Sequence, residues 1–179
     1  MPQPPPDPLP FTGARIRLRR FRPDDLERFQ AYRHDPEVGR YQGWEPTSDA
    51  AARAFLDEMA TAAFACPGEW LQIAVADSAD VLIGDIGLHL MAGGREAEFG
   101  ISLAAAAQGR GLAEEAARTL VGGLREHTGV RRLIAITDTR NIASARLLRR
   151  LGMTLEAEEH ADFRGEPCRE WRFGLLLET

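Results

Sequence analysis

Lysine is absent from this chain: all 22 of its basic residues are arginine. That excludes a P-loop, whose lysine reaches the terminal phosphates of a nucleotide. Cysteine is scarce, with Cys66 and Cys168 forming neither a C-x-x-C pair nor a zinc spacing, which argues against a disulfide scaffold and a structural zinc. His34, His89, His127 and His160 share no metal-ligand spacing, so no metal is expected. No apolar run approaches the roughly 18–20 residues that cross a bilayer, and no cleavable signal pattern opens the chain, so the expectation is a cytoplasmic protein with no membrane partner. A net charge of −5 lacks the basic footprint of a nucleic-acid binder.

What is present fits one globular unit. The 179 residues are 44% hydrophobic and 27% charged, a composition and length suited to one domain with its own core. Proline fills six of the first ten positions. Such a stretch favours extended polyproline conformation and lacks ladder donors. Residues 1–11 therefore read as a disordered tail, or as a partner-docking peptide, ahead of a single domain over 12–179.

Charge is unevenly spread. Residues 118–150 carry a local +6, whereas 24–69 carry −6 and 151–179 carry −4. The central stretch suits an anion and the two flanks suit a cation, unless these charges are simply solvated helix faces.

Hydrophobic periodicity places a first strand near Arg15–Phe21, with Arg15, Arg17 and Arg19 alternating against Ile16, Leu18 and Arg20. A helix follows from Pro23, carrying Leu26, Phe29 and Tyr32. A second is capped by Ser48 or Asp49, with Ala52, Phe55, Leu56 and Met59 on one face. Leu71–Ala76 and Val81–Leu90 form a hairpin, and Ala97–Leu103 is a further strand. Helices at 111–127 and 141–151 flank a compact strand at 132–137, and a hairpin about Arg164-Gly165-Glu166-Pro167 ends the chain. Trp70 and Trp171 read as core.

The sharpest feature is Gln108-Gly109-Arg110-Gly111-Leu112-Ala113 between a strand and a long helix. Glycines allow a tight turn and close ligand approach, while unpaired N–H groups and the helix dipole suit a pyrophosphate. Neither the P-loop nor the G-x-G-x-x-G dinucleotide spacing is present, and two glycines before a helix also occur in plain loops.

With these residues assembled, the chain resembles the GNAT superfamily of acetyl-CoA-dependent N-acetyltransferases. Gln108, Gly111 and Ala113 match its strand-to-helix signature. Ile101-Ser102-Leu103 falls where the family pairs its strand with the pantetheine arm. Asn141-Ile142-Ala143-Ser144-Ala145-Arg146-Leu147, followed by Leu151-Gly152-Met153, is similar to its second segment. Within the family, the segments 96–103 and 109–116 are most similar to the ribosomal-protein alanine N-acetyltransferase branch. The resemblance implies an α/β (α+β mixed) fold: a central mixed, mostly antiparallel sheet of about six to seven strands flanked by about four helices.

It also implies acetyl-CoA as cofactor and a primary amine as acceptor, either a small cationic amine or a protein N-terminus. Ile101, Ser102, Leu103, Gln108, Gly109, Arg110, Gly111, Leu112, Ala113, Asn141 and Arg146 are the implied cofactor contacts. Alternatively, Arg110 and Arg146 are solvated surface cations and Asn141 only caps its helix. Glu98 is the candidate base, directly or through water, since an alkyl amine with pKa about 10.4 arrives protonated. A strand carboxylate with only an ion-pairing role is the alternative. Many relatives carry a tyrosine as general acid where this chain has Leu148, so Ser144 is the candidate hydrogen-bond donor to the sulfur, or else a helix-start cap. Trp44, Glu45, Phe163 and Glu166 are candidate acceptor walls. The family's relatives are often homodimers. A degenerate, non-catalytic acyl-CoA sensor or partner-binding module is the competing reading.

Overall fold

The computed structural model describes residues 7–177. In chain order the elements are β1 (Phe11–Thr12), β2 (Ile16–Arg19), α1 (Leu26–Arg33), α2 (Pro36–Gly39), α3 (Asp49–Thr61), β3 (Trp70–Asp77), β4 (Leu82–Leu90), β5 (Glu96–Leu103), α4 (Leu112–His127), β6 (Arg132–Asp138), α5 (Ile142–Arg150), β7 (Thr154–Phe163) and β8 (Glu166–Leu176). All eight strands share one sheet in the order β1-β2-β3-β4-β5-β6-β8-β7. Only β5 and β6 pair in parallel. This is the expected mixed, mostly antiparallel sheet, with eight strands and five helices. The additions are β1 and α2, of two and four residues, too short to show a period.

The long helices form for local reasons. Ser48 caps α3 by accepting from the Ala51 N–H at 3.3 Å, and the helix buries Ala52, Leu56 and Met59 along one face. Helix α4 buries Leu112, Ala116, Leu120 and Leu124, again one stripe. Asn141 caps α5 through the Ser144 N–H at 3.1 Å, and Gly152, at φ +84°, lets the chain leave it.

Three expectations need correction. Residues 7–11 are packed rather than forming a tail. Asp7 pairs with Arg20 at 2.8 Å, and the Phe11 ring lies against Gly123 of α4, where an added Cβ would sit only 2.1 Å from it. The rest of the expected tail, residues 1–6, lies outside the described residues. Arg19 points inward despite the alternation, because Asp25 at 2.7 Å and Asp80 at 2.9 Å neutralise it there. Trp70 is 51% exposed, stacked on His89 rather than in the core, since it is the first residue of β3 and stands at the strand's end.

Helix α1 reaches the sheet face that carries Asp85 of β4, where the Tyr32 hydroxyl and Arg33 meet that carboxylate. On the opposite face α4 lies over β1, β2 and β5, and Arg149 of α5 lies over Trp171 and Phe173 of β8. Among the described residues no helix is long and apolar enough to cross a membrane.

Candidate active site

The site begins with a failure of two strands to stay together. β5 and β6 pair only from Glu96↔Arg132 to Glu98↔Ile134. Past that point β5 remains on β4 as far as Gly84↔Leu103, while β6 follows β8 as far as Asp138↔Glu170. The strands splay into a V whose facing edges have no strand between them, and the gap opens into a cavity of about 760 Å³. Ligands of α/β sheets bind at such places, where adjacent strands part at their carboxyl ends.

One wall is the turn from β5 into α4. Gly109 and Gly111 have φ of +71° and +77°, which side-chain-bearing residues rarely adopt. A Cβ on Gly109 would meet nothing within 4 Å, so the turn presents bare backbone to the cavity. Gly111 starts α4 without a side-chain cap, leaving the first-turn N–H donors available to an anion. The Gln108 side chain donates to the Leu103 carbonyl at 2.9 Å and so closes the turn from within. These features fit an acyl-CoA. The strand edge can pair with its amide-bearing arm, and the uncapped helix start can take its pyrophosphate.

Of the implied cofactor contacts, Ile101, Ser102, Leu103, Gln108, Gly109, Gly111, Leu112, Ala113, Asn141 and Arg146 all line the cavity. Arg110 does not; its backbone carbonyl instead accepts from Arg15 at 3.0 Å. Half of the basic segment is neutralised in three dimensions, four of its eight arginines being ion-paired. Arg118 and Arg150 both bind Glu114, at 3.0 and 2.9 Å, and their hydrogen bonds hold its carboxyl below the usual range. Arg140 binds Asp138, and Arg132 bridges Glu96 and Glu156. Arg146 has no ion-pair partner among the described residues, which leaves it available to phosphate.

Ser144 lines the cavity one turn into α5, and its hydroxyl takes no hydrogen bond within the described residues. Leu148 is buried on the same helix. Glu98 is half-buried on β5 opposite His89 and adjacent to Ile134. Burial raises its carboxyl pKa, outweighing His89 and Arg172, and Glu170 adds to the rise. Glu98 shares the sheet face of Asp85 and lies outside the cavity wall.

The wall expected to receive the acceptor departs from the sequence reading in detail. Phe163 lines the cavity, but Trp44, Glu45 and Glu166 do not. Trp44 lies under the Arg33 guanidinium at 4.5 Å, and Glu45 and Glu166 are exposed. Glu37, Arg40, Tyr41 and Gln42, from α2 and the loop after it, form that wall instead. Loop and hairpin do meet: Arg164 donates to the carbonyls of Gln42 and Trp44 at 3.2 and 3.1 Å. Two acidic residues missed in the sequence, Asp138 and Glu170, also line the cavity. They face each other across β6 and β8, a register that no local pattern reveals.

A family model described as an acetyltransferase (GNAT) domain matches residues 15–154. Solved structures share the fold. A GNAT-family acetyltransferase from Bacillus anthracis superposes with a TM-score of 0.83 at 24% identity, covering 96% of this chain and 100% of that one. A spermidine N-acetyltransferase from Vibrio cholerae, in complex with CoA and spermine, gives 0.77 at 20% identity over 90% of this chain and 95% of its own. The ribosomal alpha-N-protein acetyltransferase RimL, in complex with coenzyme A, gives 0.80 at 15% identity over 94% and 98%. No curated protein matches the sequence. The splayed strands, the uncapped glycine turn and the family match over most of the chain agree: this protein belongs to the GNAT acetyltransferase family and is an acetyl-CoA-dependent N-acetyltransferase.

Proposed function

We propose that the protein acetylates a cationic primary amine, either a small amine or a protein N-terminus, by direct attack of the amine on the thioester. The observation that carries this reading is the V between β5 and β6, with the bare glycine turn at one wall and carboxylates at the other. The assignment to the ribosomal-protein branch draws on the 96–103 and 109–116 segments and on the fold shared with RimL. Spermidine acetylation by another neighbour supports a small polycation equally. A homodimer is proposed on the same family ground, and residues 12–179, with 7–11 packed against them, as the acetyltransferase domain.

In this reading the N–H groups of Gly109–Ala113 and the Arg146 guanidinium hold the phosphates. The β5 edge at Ile101–Leu103 orients the pantetheine arm and offers an N–H to the developing oxyanion. Asn141 keeps the α5 start in place, and the Ser144 hydroxyl donates to the sulfur. A thiol pKa near 8.5 makes the thiolate a fair leaving group, so Leu148 in place of an acid is tolerable. The family resemblance gives Glu98 as proton acceptor, which from outside the cavity wall requires a relay through water.

Thiol release from acetyl-CoA, followed over a panel of diamines, amino sugars and basic N-terminal peptides, tests the reading. Turnover confined to cationic acceptors is expected, and equal turnover of neutral or acidic amines rejects it. Gly111→Trp places a bulky side chain at a left-handed position in the phosphate path. It is expected to weaken acetyl-CoA binding at least about tenfold by calorimetry.

A further inference from the structure

We infer that Glu170, in place of Glu98, is the carboxylate that receives the acceptor's ammonium group and takes its proton. This rests on the acetyl transfer to a cationic amine proposed above. Glu170 lines the cavity and Glu98 does not. The register of β6, β8 and β7 sets Glu170 directly between Asp138 and Glu159 on one sheet face. Like charges in directly opposed positions destabilise a sheet. Asp138 is relieved by Arg140, whose Nε and Nη2 donate at 2.9 and 2.6 Å. Glu170, part-buried, forms no ion pair and no side-chain hydrogen bond among the described residues. A part-buried carboxylate in that position costs stability, and nothing in the fold offsets the cost. An ammonium entering the cavity does offset it.

The groups around Glu170 are Asp138 of β6 with Arg140 from the turn after it, Glu159 from β7, and Cys168 and Arg172 at neighbouring same-face positions of β8. Glu98 lies on the same face of β5. Burial, with Asp138 and Glu159, raises the Glu170 carboxyl pKa, which brings it toward that of a useful base. Arg172 does not quench it, being turned toward Glu96 at 3.7 Å.

The step balances as follows. Glu170 carboxylate takes one proton from the ammonium, leaving a neutral amine. The nitrogen lone pair forms the C–N bond, the C–S bond breaks, and the sulfur leaves with the bonding pair. The second nitrogen proton goes to that thiolate, relayed through the Ser144 hydroxyl. Glu170 then returns its proton to solvent, so the net release is one proton per amide formed.

The test uses full-length protein, 1,4-diaminobutane as the probe amine, and Glu170→Gln, which keeps shape and loses the charge. Expected are a rise of at least about tenfold in acceptor KM, an unchanged acetyl-CoA affinity, and loss of the acid limb of the kcat/KM profile. Glu159→Gln, which removes a like charge outside the cavity, is expected to shift that limb to lower pH. Calorimetric binding of the diamine to the CoA-loaded protein gives a second readout, expected to weaken at least about tenfold in Glu170→Gln. A wild-type acid limb and diamine affinity in Glu170→Gln overturn the inference, as does wild-type protein that binds no diamine. If the wild type binds diamine through Glu170 yet acetylates no amine, the ammonium site stands and the acceptor reading fails.

Discussion

Glu98 and Asp138 show how two carboxylates of one sheet acquire opposite pH behaviour. Burial raises the pKa of Glu98, so between its ordinary value of about 4.3 and the raised one the folded protein holds more protons than the unfolded chain. Stability therefore falls as pH rises through that window. Glu98→Gln removes the penalty, and its thermal midpoint is expected to exceed the wild type's at pH 7 and to approach it near pH 3.5. A lower midpoint at pH 7 contradicts the raised pKa. Asp138 has the reverse sign. Hydrogen bonds from Arg140 hold it low, so its contribution is complete above the ordinary aspartate value and is lost as pH falls through the depressed one. At this scale the cavity-lining glycines, Gln108 and Ser144 were legible, because each sits in a short local motif. The inward turn of Arg19 was not, since its partner Asp80 is supplied by a distant hairpin turn.

The decisive element is the pair β5 and β6, joined over three residues and then divergent. Both strands could be read as apolar runs. Their divergence could not, because each follows a different neighbour, β4 on one side and β8 on the other. Strand β1 illustrates the same limit. Two residues show no alternation, yet Phe11 pairs with Leu18 and seats on Gly123 of α4. Phe11→Ala is expected to cost about 3–5 kcal/mol in urea denaturation, the range for a deleted core aromatic. A loss under about 0.5 kcal/mol, the level of ordinary surface substitutions, would place residues 7–12 outside the cooperative fold.

Across the whole molecule, a buried charge ties the loop after α2 to the sheet. Asp85 on β4, 2% exposed, accepts from Arg33 at 2.8 Å and from the Tyr32 hydroxyl, and Arg33 lies between Phe29 at 4.7 Å and Trp44 at 4.5 Å. Burial, with Asp85, raises the Tyr32 phenol pKa well above its usual value, so that hydroxyl stays a donor. Asp85→Ala strands the Arg33 cation in the core and is expected to cost about 3–5 kcal/mol. Because Arg33 also carries Trp44, the variant is expected to raise acceptor KM more than acetyl-CoA KM in steady-state kinetics. Equal changes in both would show that the network serves folding alone.

The types and order of the longer elements, and a glycine turn whose free N–H groups suit an anion, were determined by the sequence alone, because helix periods, caps and tight turns depend on residues a few positions apart. The tertiary structure decided which carboxylates meet the cavity, that Glu170 stands between Asp138 and Glu159, and that Trp44 backs the loop rather than lining the cavity. Those facts depend on strand register and on strands parting, set by contacts between residues far apart in the chain, and such contacts leave no local trace.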